Sequence, residues 1–271
     1  MKNSLLILLF CWLLTDIQAQ VQDSLLKEYH VTSSFFTTDP LSNLYYINEK
    51  DELIKVMDND GRVFTYSNKQ LGRPSWIDAS SPMKVLVLYP DFQTVVILDS
   101  RMGQVALFRL LTTSDGNSYL PIAMCAQPED DFFWIFDQLS QQLIKLDERG
   151  NTVAKSESLL QLFNTNITSA TLRYNNQTLF LSDPKTGLMV VDRFGSPVNT
   201  YPQIQTPYIQ VNRDALMYLN KGEFISLERK GLTSYKIHLP EQNVLQAQLK
   251  AGKLYLRTKD AIRVYLPRTN E

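Results

Sequence analysis

The sequence predicts an all-β fold, a six-bladed β-propeller of four-stranded antiparallel blades, and three observations predict it. An acidic residue followed within a few positions by glycine recurs five times, at Asp58 to Gly61, Asp99 to Gly103, Asp147 to Gly150, Asp192 to Gly195 and Glu228 to Gly231. A repeat of roughly forty residues is the mark of units stacked in a row or arranged in a ring. Each copy follows an alternating or β-branched run and precedes another. Finally, six pairs of short apolar runs are spaced evenly between Leu44 and Tyr265, each pair joined by turn-forming residues.

Taken in order, the six hairpins are Leu44 to Ile47 with Glu52 to Met57, Val85 to Tyr89 with Thr94 to Leu98, and Phe133 to Phe136 with Gln142 to Leu146. Leu179 to Ser182 with Leu188 to Val191, Leu216 to Leu219 with Glu223 to Leu227, and Leu254 to Arg257 with Ala261 to Tyr265 complete them. The reversals Asp137 to Ser140 and Asp183 to Gly187 carry the Asp, Pro and Gly chemistry that turns a chain. A further strand candidate precedes each hairpin: Ser34 to Thr38, Ser75 to Asp78, Pro121 to Met124, Ala170 to Arg173, Tyr208 to Val211 and Leu245 to Leu249. Another follows the acid-to-glycine turn, as at Val63 to Tyr66, Val105 to Phe108, Val198 to Tyr201 and Ser234 to Ile237. Four short antiparallel strands per unit make a propeller blade. The sixth unit lacks a fourth strand of its own, and Leu25 to Val31 is placed to supply it and so close the ring, which removes an exposed sheet edge. An open solenoid is the rival arrangement, but its terminal repeats would need polar caps, and neither end resembles one.

Composition agrees with one sizeable β domain over residues 20–271. The 271 residues hold 13 Tyr, 13 Phe and 3 Trp, enough large side chains to fill the space between packed sheets. With 27 basic against 28 acidic residues there is no electrostatic basis for nucleic-acid binding.

Residues 1–19 read as a cleavable signal peptide. Lys2 supplies the positive start, Leu5 to Leu14 the apolar run, and Ile17-Gln18-Ala19 the small-residue cleavage site. The run is too short to span a bilayer, which takes about 20 apolar residues, so no membrane span is expected after cleavage. Export and a bacterial-looking junction place the expected protein in the periplasm or elsewhere in the cell envelope. The two sequons at Asn166 and Asn176 are then chance matches. Cleavage removes Cys11 and leaves Cys125 alone, with no internal disulfide, in the apolar stretch Ile122 to Ala126, where it reads as a small buried hydrophobe.

On its repeat spacing and its acid-to-glycine turns the chain resembles the six-bladed β-propeller superfamily in the sense that covers TolB-like and NHL-like propellers. The resemblance spans residues 25 to 267 and is architectural. Six-bladed enzymes similar to gluconolactonases hold a metal at the central pore with acidic and amide residues. That similarity points to Asp78, Gln210, Asn212 and Gln246 or Gln248 as pore candidates, and to a metal-dependent hydrolase or lactonase as the alternative function. Read without it, these residues are channel-lining polar groups in contact with water.

Other chemistry is sparse. Asp58 and Asp60 with Gly61 suggest calcium oxygens, but basic residues follow the acid in several copies, so an Asp bonded to its own turn backbone is expected instead. His30 and His238 fall at outer-strand positions without metal-ligand spacing, and no motif calls for a cofactor. Binding is the better-supported role, carried by loops on a rigid scaffold. One rim is expected to combine the hairpin turns with the connections between blades, and it offers Tyr89, Phe92, Phe132, Leu159 and Phe163 as aromatic and apolar contacts. Leu159 to Phe163 suits a single helical turn that plugs the end of adjoining blades. The expected protein is thus a monomeric, non-catalytic binding or assembly module that recognises a protein or an envelope component.

Overall fold

The computed structural model of the chain describes residues 23–231 and 233–267, so the predicted leader, residues 1–19, lies outside the described residues. The first strand, β1 (Ser24–His30), stands apart from the repeat. Blade one follows with β2 (Phe35–Thr38), β3 (Leu44–Ile47), β4 (Leu53–Val56) and β5 (Val63–Tyr66), and blade two with β6 (Trp76–Asp78), β7 (Val85–Tyr89), β8 (Thr94–Leu98) and β9 (Gln104–Arg109). Blade three is β10 (Pro121–Ala126), β11 (Phe133–Asp137), β12 (Gln142–Leu146) and β13 (Thr152–Lys155). Blade four is β14 (Thr171–Asn175), β15 (Thr178–Asp183), β16 (Gly187–Asp192) and β17 (Pro197–Tyr201). Blade five is β18 (Ile209–Val211), β19 (Ala215–Asn220), β20 (Glu223–Glu228) and β21 (Ser234–Ile237). Blade six is β22 (Gln246–Lys250), β23 (Lys253–Arg257) and β24 (Ala261–Leu266), completed by β1.

Every blade is an antiparallel meander. Middle strands are buried from end to end where the sequence is continuously apolar, as in β7 (VLVLY) and β8 (TVVIL), because neighbouring blades cover both faces. Fourth strands face solvent on the outside of the ring, and β5 and β13 are half-exposed or exposed throughout. Neighbouring blades touch through β2 with β6, β6 with β10, β10 with β14, β14 with β18, β19 with β22, and β22 again with β2. This closes a ring. The apolar core is correspondingly divided among the seams. One cluster spans blades one to three, and others fill the seams between blades three and four, four and five, five and six, and six and one.

Ring closure runs through β1, which pairs with β24 from Ser24 opposite Leu266 to His30 opposite Ala261. Asp58 reinforces the same seam from blade one. Its carboxylate accepts from Lys253 Nζ at 2.7 and 2.8 Å and lies 3.6 Å from Lys27 Nζ.

The acid-to-glycine signal proves to be a turn in blades two, three and four. Asp99, Asp147 and Asp192 each use Oδ1 to accept two backbone N–H groups, at 2.8 to 2.9 Å, from the residues two and four positions on. A register shift follows in all three blades as the chain enters the outer strand. The tight return demands glycine at Gly195, whose φ is +86° and where a Cβ would lie 2.3 Å from that of Ser156. Blade one departs from the expected pattern, because its Asp58 is spent on the lysines of blade six. Asp60 accepts instead from Arg62, through the backbone N at 3.0 Å and Nε at 2.6 Å. With both carboxylates turned to different cationic partners, the turn does not converge on a calcium ion.

Candidate functional site

Antiparallel alternation sorts the loops onto the two ends of the ring. The turns between second and third strands share one end with the connections between blades. The turns between first and second strands share the other end with the acid-to-glycine turns. Phe92 and the Leu159 to Phe163 segment fall on the first end. Phe132, between β10 and β11, falls on the second, so the five rim candidates do not form one surface.

Burial divides them further. Tyr89 is 1% exposed, because it ends β7 within the core that spans blades one to three. Leu159 is fully buried with Ile167 in the seam between blades three and four. Neither can meet a partner, which corrects the sequence expectation. Leu159 to Phe163 does form the single helical turn, α1, and its first residue is the plug. Phe163 is partly buried against the same seam. Phe132 is partly buried, with Lys145 Nζ 4.1 Å from its ring centre. Phe92 alone of the five is openly exposed, at 56%.

The first end carries apolar contacts that the sequence did not single out. Leu111, Leu139 (73% exposed) and Leu160 join Phe92 in facing solvent. They sit on successive loops of blades two to four that are tied together by backbone bonds. Leu110 N donates to Gln93 O at 2.7 Å, Gln138 N to Leu120 O at 2.9 Å, and Leu159 N to Gln141 O at 2.7 Å. Asp137 adds a carboxylate bond to Leu120 N at 2.6 Å. An exposed apolar arc is thus held on a rigid frame.

The central channel gathers the five pore candidates, Asp78, Gln210, Asn212, Gln246 and Gln248, around one cavity of about 290 Å3. Two of them are not water-facing polar groups. Gln246 Nε2 donates to Phe36 O at 2.7 Å while its Oε1 accepts from Phe36 N at 3.3 Å, so one side chain pairs with the backbone of the next blade. Gln210 does the same to Leu249, at 2.5 Å through Nε2 and 2.9 Å through Oε1. A third amide, Gln141, grips Ile167 in this way at 2.9 and 2.8 Å. Asp78 Oδ1 accepts from Ser80 N at 2.9 Å and Ser80 Oγ at 2.5 Å. The amide oxygens of Gln210 and Gln246 are therefore taken up as inter-blade latches, whereas Asn212 and Gln248 form no such latch. Among the described residues no three His, Cys, Asp or Glu side chains stand close enough to share a metal. With two of its candidate amides committed to the fold, the cavity offers only part of the acidic and amide set that a gluconolactonase-like site would use.

Sequence reasoning missed Arg173, which enters the same cavity from β14. A charged residue at an inner-strand position was the available signal. Its guanidinium lies 4.4 Å from the ring centre of Trp76, and desolvation lowers its pKa while the charge of Asp78 opposes that shift. Cys125 is buried nearby, and its thiol is pushed well up by burial first and by Asp78 second, which makes it a poor nucleophile. His30 is on the outer strand β1, and His238 follows the outer strand β21, where its Nε2 lies 3.2 Å from Asp23.

No family model and no curated protein matches the sequence. Solved structures do match the fold. BamB from Moraxella catarrhalis is similar with a TM-score of 0.53 at 13% identity, over 89% of this chain and 84% of that one. A catalytically inactive histidine variant of virginiamycin B lyase from Staphylococcus aureus with quinupristin gives 0.59 at 13%, over 88% and 81%. The Pan2 WD40 domain of Neurospora crassa gives 0.57 at 10%, over 92% and 97%. At these identities the similarity establishes the architecture, and the chain is a six-bladed β-propeller.

Proposed function

We propose that the protein is an exported, non-catalytic binding or assembly module of the bacterial cell envelope, with the end of the ring that carries α1 as its protein-binding face. The observation that carries this is the apolar arc of Phe92, Leu111, Leu139 and Leu160, held by backbone bonds between successive loops. Exposed apolar side chains on a rigid frame lose little conformational entropy on docking, which favours a protein partner. The shared fold with BamB is compatible with an envelope location, and no helix among the described residues is long and apolar enough to cross a membrane.

The enzymatic alternative, a hydrolase or lactonase, is less well supported. A histidine change inactivates the similar lyase, whereas both histidines among the described residues of this chain lie on the outside of the ring. The test is site-specific photocrosslinking in the native envelope, with the probe at Leu139 and, as a comparator on the other end, at Met83. A discrete adduct from Leu139 alone, lost on Phe92→Ala, is the expected result. Equal adducts from both ends, or none from Leu139 beside measurable lactone turnover, would overturn the reading.

A further inference from the structure

Blade five departs from the turn pattern of blades two to four. In those three the acid that opens the turn before the outer strand, Asp99, Asp147 or Asp192, donates its backbone N–H to the carbonyl four residues on. Glu228 of blade five instead reaches Thr233 O, five residues on, at 2.8 Å. The longer turn is tied to the one between β18 and β19. Arg229 N donates to Asp214 O at 2.9 Å, and Arg229 Nη1 to Arg213 O at 3.1 Å. A local departure from a repeated pattern is where a fold accommodates function.

The tie gathers three cations. Arg213, Arg229 and Lys230 line a groove of about 420 Å3 between blades four and five, on the end of the ring opposite the proposed protein-binding face. The Arg229 guanidinium stacks over the buried Phe180 ring, 4.9 Å from its centre, which holds it in one orientation. With Nη1 spent on Arg213 O, its Nε and Nη2 edge remains to donate. Among the described residues none of the three cations makes an ion pair, and Asp214 is the one carboxylate in the lining. Blade four adds Val198, 59% exposed on β17, and Asn199, whose Oδ1 accepts from Thr200 N at 2.8 Å while its amide nitrogen makes no bond among the described residues.

Three positive charges against one negative leave a surplus of two, which a doubly charged oxyanion balances. A phosphomonoester carries about 1.5–2 negative charges at neutral pH. Its tetrahedral oxygens suit donors that converge from two turns and a strand, with the planar edge of Arg229 on two of them. A monocarboxylate would satisfy one guanidinium and leave the other cations unpaired. Val198 beside the charges suits an uncharged body that carries the phosphate. We propose that this groove binds a phosphomonoester on an uncharged body, with Arg229 as the oriented fork, Arg213 and Lys230 as charge partners and Asn199 as a neutral donor.

Isothermal titration of the purified protein in low salt with glycerol 3-phosphate, and with succinate as a dicarboxylate of similar charge, tests this. Flotation with phosphatidylcholine vesicles that contain phosphatidic acid separates a lipid headgroup from a soluble ester. Saturable binding of glycerol 3-phosphate at about millimolar concentration, tighter than succinate, assigns a soluble ester. Flotation without such binding assigns a headgroup, and absence of both overturns the proposal. In whichever arm responds, Arg229→Gln should weaken binding about ten- to a hundredfold, and Lys230→Gln about two- to fivefold. If Arg229→Gln does not fold, the double variant Arg213→Gln with Lys230→Gln carries the test, since both side chains are exposed and neither makes a hydrogen bond among the described residues. Lys185→Gln, exposed on the other end of blade four, should bind as the parent does. Unchanged affinity in a folded groove variant, an equal loss in Lys185→Gln, or succinate bound as tightly as the phosphate would overturn the proposal. Because the photocrosslinking test probes the other end of the ring, the two readings fail independently.

Discussion

Replacing Gln246 by Ala cuts the latch that joins blade six to blade one. The side chain is 4% exposed, and its removal strands Phe36 N and Phe36 O in the seam, together with the bond that Arg257 Nε makes to Gln246 Oε1 at 3.3 Å. A buried group left without a partner costs about 1–3 kcal/mol. Two orphaned backbone groups beside a cavity that admits water should therefore cost about 2–4 kcal/mol in all. For a domain of this size that corresponds to a fall in Tm of about 5–15 °C. Urea unfolding followed by circular dichroism, with the transition midpoint and slope fitted together, reads the change. Gln210→Ala breaks the equivalent latch at a less buried site and should lose less. Gln248→Ala, at a neighbour on the same strand whose side chain makes no hydrogen bond among the described residues, should stay within about 0.5 kcal/mol of the parent, as surface-like changes do. A Gln246→Ala protein as stable as Gln248→Ala would refute the latch argument.

Tyr89→Phe should be neutral or stabilising by up to about 1 kcal/mol, because the buried hydroxyl it removes has no hydrogen-bond partner among the described residues; a measurable loss in thermal unfolding would refute this. Gly195→Ala should destabilise by more than Gly61→Ala, since both have positive φ, costing about 1–2 kcal/mol, but only Gly195 also meets Ser156 while Gly61 faces open space. Comparing the two urea midpoints separates strain from collision. In alkali, burial first and the charge of Asp58 second hold Tyr255 up to about 12, against about 10 for an unfolded tyrosine. Its raised folded value means stability that is complete below pH 10 and declines as pH rises from 10 through 12, because the unfolded chain releases the proton first. Tyr255→Phe should flatten that decline in a pH series of melts, and an unchanged slope would count against the assignment.

The strands were legible because their apolar runs are set by local burial. In β7 and β8 both faces are covered, so the runs are continuous, and the turns between them carry recognisable residues. The strand β13 escaped notice because TVAK lies on the ring's outside, where packing imposes little pattern. Residues at blade ends were misjudged for a different reason. Tyr89 ends a predicted strand beside a proline turn and reads as a rim contact, yet the seam covers it. The latches were beyond sequence reasoning altogether, since Gln246 meets Phe36 only through the ring's closed register. Arg173 was hidden by the same fact, that strands from different blades meet only at the axis.

The pairing of β1 with β24 has a consequence for how the molecule comes into being. The first described strand to be synthesised cannot find its partner until nearly all the rest of the chain has been made. Other blades contain strands that are neighbours along the chain and can form as local meanders, with little entropy lost in closing each loop. Blade six must wait, so until then β1 and β24 each present an unpaired edge capable of pairing with the wrong chain. The final clasp therefore doubles as a checkpoint on completeness: a chain interrupted before β24 can build several blades but never a ring.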